Sequence, residues 1–212
     1  MIGIGRPATS ALFEAALSYA AVRNWPVAPG TQLVRDERMS LVCSCGRVDC
    51  PSPGAHPEGL RWRIQATTDA ATIREWWTFR PDAPIVIPTG HAFDVIDIPE
   101  SAGYGALERL DRLELWLGPV LATGDGRMQF LVMPGAAPDV ASILRGRGWP
   151  GVQLDLGCRS EGGFIFAPPS RLGMGRTVRW IREPVDDSRR LPDARALLTS
   201  IAYACYRLAA SA

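Results

Sequence analysis

The chain has 212 residues, 47% of them hydrophobic and 21% charged, with 23 basic residues against 22 acidic ones. That length buries a substantial core as one compact unit or two apposed ones, and no run reaches the roughly 18 apolar residues a membrane span needs. A formal net charge of +1 excludes a protein that coats nucleic acid through bulk charge, so any basic surface must be local.

Every basic residue is arginine. The stretch from Asp139 to Arg182 is mildly basic, with seven arginines against Asp139, Asp155 and Glu161, and reads equally as a solvated face or a phosphate-contacting one. The opening MIGIGRP has no charged segment followed by an apolar one, so a cytoplasmic location is expected.

The first element is a helix from Ser10 to Arg23, with Leu12, Ala16 and Tyr19 at helical spacing and Asn24-Trp25-Pro26 stopping it. A short apolar piece from Pro26 to Pro29 leads into a polar segment, rich in Cys and Pro and without a period, that runs to about Arg61. Asp69 is placed to cap a second helix that carries Ile73, Trp76 and Trp77 on one face and ends at Arg80-Pro81.

From Pro84 onward, short apolar runs bounded by Gly and Pro read as strands: IVIP, FDVIDI, PVLAT, MQFLVM, VQLDL and GFIFAPP. Helices are expected at Gly103 to Trp116 and Pro138 to Arg147. A closing helix from about Asp193 to Ala209 would turn Leu197, Ile201, Cys205 and Leu208 inward, after a polar linker from Glu183 to Pro192. The order of elements is mixed α/β.

Cys43-x-Cys45-x4-Cys50-x5-His56 gathers four potential ligands within fourteen residues. Three thiolates and an imidazole suit tetrahedral zinc, and Gly46, Pro51, Pro53 and Gly54 let the loop fold back on itself. The segment has little apolar content to order it otherwise, so a structural zinc ion would supply folding free energy. The alternative is three reduced cysteines and a surface histidine. Cys158 and Cys205 read as core thiols, and His91, after Thr89-Gly90, as a loop residue.

FDVIDIPE sets acids in an apolar strand, where they are costly to desolvate unless they bind metal or hydrogen bonds. Asp94 and Asp97 lie three apart and therefore point to opposite faces. They could equally be acids at an exposed strand end.

In chain order, NWPVAPG, the Cys/His loop, ATTDAATIREWW, IVIPTG, FDVIDIP, LATGDGRMQF, LDLGCRSEGGFIFAPPS and VRW together resemble the actinobacterial and phage-type prim-pol domain. This is the domain of bifunctional DNA primase/polymerases in the archaeo-eukaryotic primase superfamily. The resemblance covers about residues 10 to 182 and leaves 183 to 212 as linker and C-terminal helix. It implies a two-part α/β fold with an RRM-like sheet and a zinc loop at about 43 to 56. It also implies Mg²⁺ or Mn²⁺ in the active cleft, nucleotide, and single-stranded DNA or primer-template as partners, with a replication helicase acting in trans.

The family holds its catalytic metals with an Asp-x-Asp or Asp-x-Glu and a later acid, and contacts the triphosphate with a Ser-x-His histidine. Carried over, Asp97 takes the first acid position and Pro99, which has no ligand atom, takes the second. Asp94 and Glu100 are the nearest substitutes and need a bulge to share that face. Asp155 matches the later acid. Thr123-Gly124-Asp125-Gly126-Arg127 matches the Ser-x-His segment, with Arg127 in place of the histidine and able to grip phosphate as a bidentate donor. Ala55 stands where the family loop commonly has Lys. Two readings follow: an active primase/polymerase using Asp97, Asp155 and an atypical third ligand, or a catalytically impaired homologue that binds nucleotide, single-stranded nucleic acid or a replication partner.

Overall fold

A computed structural model of the chain describes residues 10–146, 153–185 and 190–211. In chain order the elements are α1 (Ala11–Arg23), β1 (Ala28–Pro29), β2 (Leu33–Arg35), β3 (Leu41–Cys43), α2 (Trp62–Gln65), α3 (Ala70–Phe79), β4 (Ile85–Pro88) and β5 (Asp94–Pro99). There follow α4 (Glu100–Arg112), β6 (Val120–Ala122), β7 (Arg127–Val132), α5 (Ala137–Arg145), β8 (Gly157–Arg159), β9 (Phe164–Ala167), β10 (Arg179–Arg182) and α6 (Ala194–Ala209). The fold is mixed α/β with antiparallel strand pairing. Among the described residues no helix is long and apolar enough to cross a membrane.

The chain divides into two compact units, one running up to Ile87 and including Phe166–Thr177, the other comprising Pro88–Ile165 and the residues from Val178 on. In the first unit, α1 starts where Ser10 Oγ accepts the amide of Phe13 and ends at Asn24, whose left-handed backbone at φ 56° caps it. Asp69 caps α3 in the same way, accepting from the amide of Thr72 at 2.7 Å. Two elements of this unit have no signature in the sequence: the hairpin of β2 with β3, registered Leu33 opposite Cys43, and the single turn α2. Both are too short for a hydrophobic period to reveal them.

The second unit is built on a five-stranded antiparallel sheet of order β10-β6-β7-β5-β8. Alternation sends Ile96 and Ile98 of β5, and Met128, Phe130 and Val132 of β7, into a core shared with Ala106 and Leu110 of α4, Val140 of α5, and Leu197, Leu198 and Ile201 of α6. The residues between them point to the opposite face. Asp97 lies across from Gln129 and Pro99 across from Arg127 on β7, so these four share one side of the sheet.

Several boundaries differ from the sequence reading. α4 begins at Glu100 rather than Gly103, because Pro99 closes β5 and serves as the helix N-cap. Its two interior glycines hide the start of the period. It stops at Arg112 rather than Trp116, where Glu114 turns left-handed at φ 51°. Of the VQLDL run, the described part Gln153–Leu156 makes no ladder, and the strand starts at Gly157; Leu154 and Leu156 are buried as core residues without strand pairing. Leu208, expected inward, is exposed on the last turn of α6.

Candidate functional site

In the first unit, the β2–β3 hairpin brings Cys43 to the loop that returns through Cys50 to His56. One ligand atom from each of Cys43, Cys45, Cys50 and His56 lies within 4.8 Å of the others, and His56 Nε2 is 3.4 Å from the sulfurs of both Cys43 and Cys50. Thiolates about 2.3 Å from one ion require this kind of spacing, so the group could hold a metal.

The surroundings favour the ligating forms. His56 Nδ1 is 2.8 Å from the Pro57 carbonyl, which fixes the proton on that nitrogen and leaves Nε2 facing the thiols. Burial works against the Cys43 thiolate, but amides of Cys45 and Gly54 and the Thr31 hydroxyl outweigh it and bring the pKa down to about 6. Gly54 is left-handed at φ 66°, and a Cβ there would press on the Leu33 backbone at 3.0 Å, so the return of the loop depends on glycine. By contrast, burial pushes Cys158 up to about 11 and Cys205 up to about 12, as inert core thiols.

In the second unit the acids separate into different environments. Asp97 is 5% exposed, and both of its oxygens are taken. Arg127 Nε donates to Oδ1 at 2.7 Å, while Gln129 Nε2 and Arg159 Nε donate to Oδ2 at 2.7 and 2.9 Å. Arg127 also spans to Asp155, donating from Nη1 to Oδ2 at 2.7 Å, and donates from Nη2 to the Asp97 carbonyl at 3.2 Å. Partial burial opposes the charge on Arg127, but the hydrogen bonds and fields of both carboxylates raise its pKa above the ordinary guanidinium value.

Asp94 points to the other face, as alternation requires. Its Oδ2 accepts the amides of Gly135 and Ala136 at 2.9 and 2.8 Å, so the carboxylate holds the backbone entering α5. Glu100, on the first turn of α4, accepts from Arg179 Nη2 at 2.7 Å and from the Tyr104 hydroxyl. Thr123 closes the β6–β7 turn: its amide donates to the Arg127 carbonyl at 3.0 Å, and its hydroxyl contacts Asp125 and that same carbonyl. Gly124 and Gly126 supply the positive φ angles that this turn needs, 75° and 84°.

Residues 16–194 match the family model for the N-terminal domain of bifunctional DNA primase/polymerases, Prim-Pol. The chain belongs to that family. Membership gives this prim-pol domain a primase/polymerase-type function in DNA replication and implies binding of nucleic acid and nucleotide. No curated protein matches the chain at a significant level.

Of the acids singled out in the prim-pol pattern, Asp97 and Asp155 come together through a shared arginine, while Asp94 and Glu100 have partners elsewhere. Sequence reasoning had named Arg127 only as a phosphate contact. It missed Gln129 altogether and counted Arg159 only among the arginines of the basic stretch. Gln129 had a usable signal, a lone polar residue inside the apolar run MQFLVM. Arg159 had none, since its role depends on β8 pairing with β5.

Proposed function

We propose that this prim-pol domain works in DNA replication as a module that binds nucleic acid or nucleotide, with its nucleotidyl transfer impaired. The observation that carries this reading is the Arg127 guanidinium seated between Asp97 and Asp155. Two-metal chemistry needs carboxylate oxygens free to take divalent cations. Here Pro99 contributes none, and both oxygens of Asp97 already accept from Arg127, Gln129 and Arg159. Two carboxylates facing two guanidiniums make a locally neutral cluster with little attraction for Mg²⁺ or Mn²⁺, and the divalent ion fits these residues poorly.

Binding does not need that ion. Arg127 uses three of the five N–H donors a guanidinium carries, which leaves capacity for a phosphate oxygen. We read the five-stranded sheet with helices on one face as the RRM-like half of the fold, and Zn²⁺ as the metal of the Cys43, Cys45, Cys50 and His56 group, in a structural role because all four positions are filled by protein. The replication role of the family makes a replication helicase, acting in trans, the protein partner in this reading.

Primer synthesis and extension assays with Mg²⁺ or Mn²⁺, run beside anisotropy with a labelled single-stranded oligonucleotide, test the reading. Binding without template-dependent product is expected. Product made by the parent and lost in Asp97→Ala would overturn it in favour of an active enzyme. Pro99→Asp together with Arg127→His is expected to create measurable Mn²⁺ binding where the parent has none.

A further inference from the structure

On the face of the sheet opposite Asp97, α4 and α6 enclose a groove of about 410 Å³ lined by Arg109, Arg112, Tyr203 and Arg207. That size lies within the range of ligand sites. Among the described residues three guanidiniums meet a single carboxylate there, Glu108, an excess of two positive charges.

These arginines differ from others of the same unit. Arg127, Arg159, Arg179, Arg182 and Arg195 all pair with carboxylates. Among the described residues, none of Arg109, Arg112 and Arg207 does. Arg109 lies over the Tyr203 ring at 4.8 Å, and its Nε is buried with no acceptor. Arg112 Nε reaches only its own helix, at the Glu108 carbonyl 3.3 Å away, and Arg207 Nη1 reaches only the Tyr203 hydroxyl at 3.5 Å. The position of all three in the last turns of α4 and α6 suits the helix dipoles, but the dipole does not account for a buried donor lacking an acceptor or for three cations gathered at one concavity.

We propose that the α4–α6 groove is a phosphate-binding site. A phosphate offers several oxygens to donors that converge from two helices, whereas a carboxylate offers two, and arginine forks match phosphate geometry in bidentate pairs. Gly105 lines the groove, and a Cβ built on it meets nothing within 4 Å, so an oxygen can approach the α4 backbone closely. The phosphate could come from a nucleic-acid backbone or from a free nucleotide. The site is independent of the Asp97 cluster, since the two lie on opposite faces of one sheet.

The test is calorimetric titration of the full chain with inorganic tripolyphosphate, with a short oligo(dT), and with polyglutamate of similar charge, with NMR shifts followed at Gly105 and Tyr203. The variants are Arg109→Gln, Arg207→Gln and Gly105→Leu, the last filling the groove without removing a charge and with a better helix former. Each is expected to weaken a phosphate probe by roughly tenfold, the ratio that 1.4 kcal/mol represents. Arg195→Gln, which breaks an ion pair with Asp139 outside both the groove and the Asp97 cluster, is expected to leave this binding unchanged, and the Gly105 and Tyr203 shifts report the groove separately from the proposed function. Loss of tripolyphosphate binding assigns the groove to nucleotides, and loss confined to oligo(dT) assigns it to the nucleic-acid backbone. No binding to the parent, equal binding by parent and groove variants, or tighter groove binding of polyglutamate than of either phosphate probe would each overturn the proposal.

Discussion

Asp94 offers a sharp test of the distinction drawn between the acids, because in the sequence it stands beside Asp97 as a catalytic candidate and in the fold it secures the entry to α5. Replacing it with alanine removes two amide-to-carboxylate hydrogen bonds, of 2.9 and 2.8 Å, and strands the Gly135 and Ala136 N–H groups. Bonds to charged groups contribute roughly 1.5–3 kcal/mol each. Part of that is offset, because the second oxygen, Oδ1, is buried without a partner and its desolvation cost disappears with the side chain. A net loss of about 3 kcal/mol follows, which for a chain of this size lowers Tm by roughly 6–12 °C. Asp94→Asn keeps an acceptor for both amides and should stay within about 1 kcal/mol of the parent. Thermal denaturation followed by circular dichroism, with hydrogen exchange on the α5 amides, measures both. An Asp94→Ala protein with unchanged Tm and unchanged α5 exchange would refute the capping role.

Chelation should remove the zinc proposed for the Cys43, Cys45, Cys50 and His56 group at one ion per chain and abolish the order of the β2–β3 hairpin, read from its amide spectrum. Cys43 is already lowered to about 6 from its ordinary 9.0, and a bound ion holds the thiolate further against protons, so metal retention assayed against pH should persist at neutral pH and fall only on acidification below about 6. Gly103→Ala drives a Cβ to 2.3 Å from Met128 Sδ and 2.9 Å from its Cβ, which should cost about 1–3 kcal/mol by overpacking. Gly105→Ala, two residues along the same helix, meets nothing and should gain up to about 1 kcal/mol from helix propensity; equal Tm shifts for the pair would contradict the packing of α4 on β7. At Gly90, with φ 98° and the Glu161 backbone 2.3 Å from a built Cβ, alanine should destabilise the second unit more than either, as measured by urea unfolding.

Much of the candidate site was legible because local chemistry carries it. Four ligand residues within fourteen, with glycines and prolines to turn the loop, mark without a tertiary structure a group that could hold a metal, and the parity of a strand already sets Asp94 and Asp97 on opposite faces. Segment order alone supports the prim-pol resemblance that the family match later bears out. The cap at Asp69 was readable for the same reason, since a cap is satisfied within three residues.

What the fold alone decided is which groups neutralise which. Asp97 meets Arg127, 30 residues away, and Arg159, 62 residues away, because β7 and β8 pair with β5 on either side in one register. A single-residue slip would turn those side chains to the other face. Periodicity reports the face a residue takes but not its neighbour across the ladder. Residue types thus made Asp97 a metal-ligand candidate, and strand pairing gave it two guanidiniums and an amide as partners.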